Sequence, residues 1–111
     1  MDVEVFGIFP HMHLIGKEVK VTALLPDGKK RSLLRIDDWD FNWQGYYEYA
    51  KPVALPKGTQ VLMECRHDNS ASNPSNPNQP PKRIVYGEET ADEMALVLLH
   101  AFPKGRTCWP R

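Results

Sequence analysis

The sequence predicts an all-β fold, an antiparallel β-sandwich of the jelly-roll type. Three observations carry this expectation. Short segments rich in β-branched and aromatic residues recur along the chain, turn signals separate them, and no window of about 11 residues or more shows helical periodicity. At 111 residues the chain suits a single domain with one hydrophobic core, taken as 1–111.

The elements follow in order. Val3–Phe9 (VEVFGIF) and Glu18–Leu25 (EVKVTALL) alternate in part, as half-buried strands do. Between Leu25 and Lys30, PDGK forms a turn: Pro26 presets φ, Asp27 bonds nearby backbone and Gly28 takes positive φ. It joins Glu18–Leu25 to Lys30–Ile36 (KRSLLRI) as a hairpin. In the aromatic stretch WDFNWQGYYEYA, Trp39, Trp43, Tyr46, Tyr47 and Tyr49 are expected in the core and at the sandwich edge. A substrate-facing aromatic wall is the alternative. LPKGTQ is a second turn, followed by a strand over Gln60–His67 with Val61, Met63, Cys65 and His67 on one face. GEETADEM is expected to make one helical turn, Thr90 as N-cap and Glu93 closing a capping box. Met94–Phe102 (MALVLLHAF) is the closing strand.

One segment stands apart. HDNSASNPSNPNQPPKR, His67 to Arg83, is too rich in proline for a strand interior or a helix. Composition leaves two readings open, a disordered surface loop or an ordered excursion built on Asn-Pro turns.

Composition removes several function classes. Lys plus Arg and Asp plus Glu are 14 each, so net charge is zero and no basic patch invites nucleic acid. No apolar run approaches the roughly 20 residues of a membrane span. The charged start MDVEV is not a signal peptide. Two cysteines, Cys65 and Cys108, allow at most one internal disulfide, and their spacing resembles no zinc or redox pair.

Chemistry concentrates in FPHMHLIGKEV. In a strand His11 and His13 project to the same face, with Cβ atoms roughly 6–7 Å apart. Two imidazoles at that separation can converge on one ion, and imidazole suits copper, zinc, iron or nickel. Met12 points to the opposite face, toward the core, and Gly16 permits a close backbone approach. The competing reading is two polar residues on a wetted strand face. The residues alone leave a third ligand open among His67, His100, Met94, Met63 and several carboxylates.

HMHLIGKEV, LPKGTQVLMECRHDNSASNPSNP and YGEETADEM, in that order, resemble the catalytic copper domain of the copper type II, ascorbate-dependent monooxygenases. Peptidylglycine α-hydroxylating monooxygenase and dopamine β-monooxygenase belong to this family. The DNS…NP.NP loop is similar to that of bacterial relatives. The resemblance spans Phe9 to Phe102 and rests on HxHxxG paired with a downstream GxxxxDEM. It implies that His11, His13 and Met94 are both the metal ligands and the catalytic centre, holding one copper ion. Two imidazoles and a thioether accommodate Cu(I) and Cu(II) and leave a position open. Dioxygen would be the co-substrate, ascorbate or another reductant the electron donor, and a small molecule the C–H substrate.

The chain also departs from the family pattern. Family enzymes have two β-sandwich domains, and this chain corresponds only to the second. The electron donor is therefore expected to be a further domain carrying a second copper or a haem, within a longer exported protein, periplasmic or extracellular. His100 lies too far along its strand to join Met94 at one copper. Animal members pair the cysteine matching Cys65 with one at the position of Ala95, so that bridge is lost. Cys65 is then expected to be a buried free thiol, with a Cys65–Cys108 bridge as the alternative. Polar substrate-holding residues after the DEM methionine are replaced by Leu96 and Leu98, which implies an apolar or otherwise different substrate. His67 is expected to anchor the loop, the alternative being support of a copper ligand. A non-catalytic copper-binding or electron-transfer module and a metal-free binding sandwich are the rival readings.

Overall fold

The computed structural model describes residues 2–104. Among these residues six strands form two antiparallel three-stranded sheets: β1 (Val3–Met12), β2 (Gly16–Leu24), β3 (Lys30–Ile36), β4 (Tyr47–Leu55), β5 (Gln60–His67) and β6 (Ala95–Pro103). One sheet has the order β4-β1-β6 and the other β3-β2-β5. Only β2–β3 is a hairpin within a sheet; every other connection crosses from one sheet to the other. There is no α-helix among the described residues, and no helix long and apolar enough to cross a membrane. The all-β sandwich expected from the sequence is what the chain forms.

The core lies between the sheets. Val5, Ile8 and Met12 of β1 meet Val19, Val21 and Ala23 of β2, all at most 1% exposed. Alternation along each strand gives this pattern, because odd and even side chains leave opposite faces. A register shift between Val5 and Gly7 lets Val5 and Ile8 both point inward across an odd spacing. Met12 is core, as expected, and packs so closely on Gly16 that a Cβ there would lie 2.8 Å from its own Cβ. Tyr49 of β4 crosses the sandwich and donates its hydroxyl to the Leu33 carbonyl at 2.8 Å.

Both turns form as their residues dictate. Gly28 and Gly58 sit at φ +88° and +91°, the region where only glycine is unstrained. Asp27 accepts from the Lys29 N–H at 2.9 Å. The strand β4 was hidden in the aromatic stretch and carries Pro52, which an edge strand tolerates.

Two expectations are corrected. GEETADEM forms no helix: Asp92 N–H bonds the Glu89 carbonyl in an isolated turn, and a parallel bridge joins Tyr86 to Glu93. Cys65 is free but exposed, because β5 is an edge strand. Cys108, the other half of the alternative bridge, lies outside the described residues. Of the aromatic cluster, Trp39 is buried and Tyr49 packs on the core, whereas Tyr46 and Tyr47 are over 40% exposed.

The long loop is ordered, and its asparagines order it. Asn73, 1% exposed, donates to the Asp68 carbonyl at 2.6 Å and accepts from Ser75 N–H at 3.0 Å. Asn76 donates to Asn69 Oδ1 and accepts from Asn78 N–H in the same way. These asparagine side-chain bonds, three of the four to backbone groups, replace the ladder bonds that the prolines forbid.

Candidate metal centre

The end of β1 brings the histidines and Met94 together. β1 and β6 pair with His11 opposite Leu96 and Met12 opposite Ala95. One step further His13 stands across from Met94, and its N–H donates to the Met94 carbonyl at 3.3 Å. Directly opposite residues of an antiparallel pair share a face. Continued one step beyond the last strand pair, this register would put Met94 on the face that carries His11 and His13.

The two imidazoles are 5.0 Å apart between ring centroids and nearly perpendicular, at 87°. His13 Nδ1 lies 3.2 Å from the Asp92 carbonyl oxygen. A carbonyl can only accept, so His13 donates from Nδ1 and its Nε2 lone pair is left for a metal. His11 Nδ1 lies 2.7 Å from Gln44 Oε1. This pattern, one ring nitrogen held by an oxygen and the other available, is typical of metal-ligating histidine.

The motif residues around Met94 form a brace. Asp92 Oδ2 accepts from Glu89 N–H at 3.2 Å, Gly87 N–H bonds the Glu93 carbonyl at 3.2 Å, and Glu93 N–H bonds the Val85 carbonyl at 3.0 Å. Leu14 N–H reaches the Thr90 carbonyl at 3.3 Å. The brace covers the pair's end of the sheet: His13 is 3% and Met94 9% exposed, with His11 half-buried. Phe41, on the short 3-10 turn Phe41–Trp43, faces His13 edge-on at 6.4 Å.

The other candidates separate cleanly. Among the described residues no three His, Cys, Asp or Glu side chains are arranged to hold a metal ion. Joined by the Met94 thioether, the histidine pair would make an uncharged N₂S donor set, which suits copper. Met63 is on β5, opposite Val21 in the core-side register. His100, opposite Gly7 at the far end of β6, bonds the Tyr46 hydroxyl at 2.9 Å. His67 Nε2 is 3.4 Å from the Met94 carbonyl oxygen, so it supports the Met94 backbone from the side of β5 while standing at the start of the long loop.

Leu98 lies opposite Phe9 and Leu96 opposite His11, on the face of the pair. Leu98 is 60% exposed. A hollow of about 290 Å³ opens elsewhere on the described surface. It is lined by the charged residues of β2, β3 and β5, among them Glu18, Arg35 and Glu64, and holds none of the three candidate ligands. Chemistry and register favour the end of β1 over that hollow.

Sequence reasoning missed Gln44, Phe41 and the Asp92 carbonyl. Asp92 was legible as part of DEM, but the acceptor is its backbone, which no side-chain pattern encodes. Gln44 is 33 residues from His11, and only the crossing from β3 to β4 brings it there.

An antiparallel sandwich bearing a histidine pair at the end of a central strand is the class that fold and geometry define. The chain belongs to the copper type II ascorbate-dependent monooxygenase family, matching its C-terminal domain over residues 1–108. It is 24% identical over 103 residues to the human protein called putative DBH-like monooxygenase protein 2, covering 93% of this chain and 19% of that protein. The mouse protein called DBH-like monooxygenase protein 1 is 26% identical over 105 residues, 92% of this chain and 15% of its own length. Its human counterpart is 24% identical over 102 residues, with the same shares. The chain thus spans less than a fifth of the curated relatives it matches. No solved structure matches it.

Proposed function

We propose that this chain is the oxygen-activating copper domain of a monooxygenase, with one copper ion held by His11 Nε2, His13 Nε2 and the Met94 thioether. The observation that carries the reading is the β1–β6 register. With the backbone bond from His13 N–H to the Met94 carbonyl, it supports Met94 as the third ligand, in a chain whose family is defined by copper.

When bound, copper supplies redox cycling and an open position for dioxygen. The balanced reaction is R–H plus O₂ plus two electrons and two protons, giving R–OH and water, with ascorbate or another reductant as electron source. The protein's own work is positional. The Asp92 carbonyl holds His13 Nδ1–H, so the ring presents Nε2 and cannot turn. Burial of His13 and Met94 keeps bulk water from the ligands. Phe9, Leu96 and Leu98 continue the face beside His11 as an apolar surface, suited to an apolar part of a small-molecule substrate. The chain acts within a longer exported protein, in which another domain, with a second copper or a haem, delivers an electron.

The test is copper binding followed by turnover. Cu(II) titration with electron paramagnetic resonance should show one type II copper per chain, lost in His11→Ala and in His13→Ala. Ascorbate-driven oxygen uptake coupled to a hydroxylated product, in the full-length protein, supports the enzyme. Copper binding and reversible reduction without product would favour an electron-transfer module, and unchanged copper binding in both alanine variants would refute the site.

A further inference from the structure

We infer that Gln44 sets the tautomer of His11, and so decides which nitrogen of that ring is offered to a metal; the inference rests on the copper reading above.

The first step is the orientation of the Gln44 amide. Its Nε2 donates to the Phe41 carbonyl at 3.1 Å. A carbonyl accepts and cannot donate, so the nitrogen end of the amide is committed to Phe41. The oxygen end therefore faces His11, 2.7 Å from Nδ1. Reversing the amide would set two acceptor oxygens against each other at Phe41. An amide oxygen only accepts, so His11 Nδ1 carries the proton and the neutral ring keeps its lone pair on Nε2.

The second step is how Gln44 comes to be there. β4 pairs with β1 only as far as Tyr47 opposite Ile8. Beyond Ile8 the β4 side of β1 has no strand partner. His13 N–H points to β6, so by antiparallel alternation the N of Pro10 points to the vacated β4 side. Proline has no N–H to lose there. The segment Phe41–Gln44 approaches His11 and His13 from outside β4, started by Asp40, whose carboxylate accepts from Asn42 N–H at 2.9 Å. One short turn thus touches both rings, Gln44 at His11 and Phe41 at His13. Gln44 is a positioning residue: it acts on the metal through His11.

The experiment reads the tautomer in the metal-free protein. Protein with ¹⁵N-labelled histidine is held near pH 8.5, about two units above the ordinary imidazole pKa, and two-bond ¹H–¹⁵N correlations report the protonated nitrogen of each ring. The expected result is Nδ1–H at His11 and at His13. Gln44→Leu should leave His13 unchanged, mix the two tautomers at His11 and weaken Cu(II) binding roughly 10–100-fold. Gln44→Glu keeps the acceptor and should retain Nδ1–H at His11. Nε2–H at His11 in the parent protein, or an unmixed Nδ1–H signal in Gln44→Leu, would overturn the inference. A tautomer lock that behaves as described, with copper affinity untouched by His11→Ala, would uphold the lock and overturn only the copper reading.

Discussion

The carboxylate of Asp92 lies where a side chain on Gly87 would begin, so a Cβ at Gly87 would overlap it. The glycine and aspartate of GxxxxDEM are therefore one packing unit. That unit fixes the turn whose Asp92 carbonyl meets His13 and whose next residues lead to Met94. Gly87→Ala must displace Asp92. The expected cost is about 1–3 kcal/mol, the usual range for an overpacked site, and copper affinity should fall with it. Thermal denaturation and Cu(II) titration of the same variant check both. An unshifted melting temperature would mean that the brace yields freely.

Two methionines close to the pair should separate by assay. Met12 is 0% exposed in the core, between the two histidines in sequence but on the opposite face. Met12→Ala should destabilise the fold by about 2–5 kcal/mol, measured by urea denaturation. Folded Met12→Ala should still bind one copper. Loss of the copper sulfur signal in that variant would assign the thioether to Met12.

At alkaline pH the stability curve should show Tyr49. Burial pushes its phenol above the ordinary value of 10.0. A raised folded-state pKa favours the protonated form, so the contribution is complete below the ordinary value and is lost as pH rises through the folded one. Tyr49→Phe removes the bond to the Leu33 carbonyl. It should cost about 0.5–1.5 kcal/mol at neutral pH and flatten the fall above pH 10. An alkaline limb of the same steepness in the variant would place its origin elsewhere.

Much of this was legible in the sequence, for a physical reason. Five of six strands and both glycine turns are local: alternation and Gly φ act within a few residues. β4 was masked because Pro52 and the mixed aromatic run weaken the alternation signal. GEETADEM fits a capping box, yet the tertiary bonds to His13 and Leu14 outweigh so short a helix. The loop was ambiguous because composition counts asparagines without revealing that Asn73 and Asn76 bond backbone within the loop. The histidine pair was readable from spacing, but its holders, Gln44 and the Asp92 carbonyl, depend on chain crossings that no local pattern encodes.

Cys65 should be slow to react despite its exposure. Partial desolvation first, then the negative charge of Glu93, raise its thiol above the ordinary value, and the thiolate is the nucleophile. Alkylation by iodoacetamide should therefore have its pH midpoint above that of a free cysteine peptide. Glu93→Gln should lower the midpoint in part. A midpoint at or below the peptide's would contradict the assigned surroundings.

The central claim is that Met94 completes the site begun by His11 and His13. Its most direct test is X-ray absorption of the copper-loaded, ascorbate-reduced protein, compared with Met94→Leu. A copper–sulfur contribution is expected in the parent and absent in Met94→Leu, with the copper–imidazole contribution retained in both. A sulfur contribution that survives Met94→Leu, or none in the parent, would contradict it.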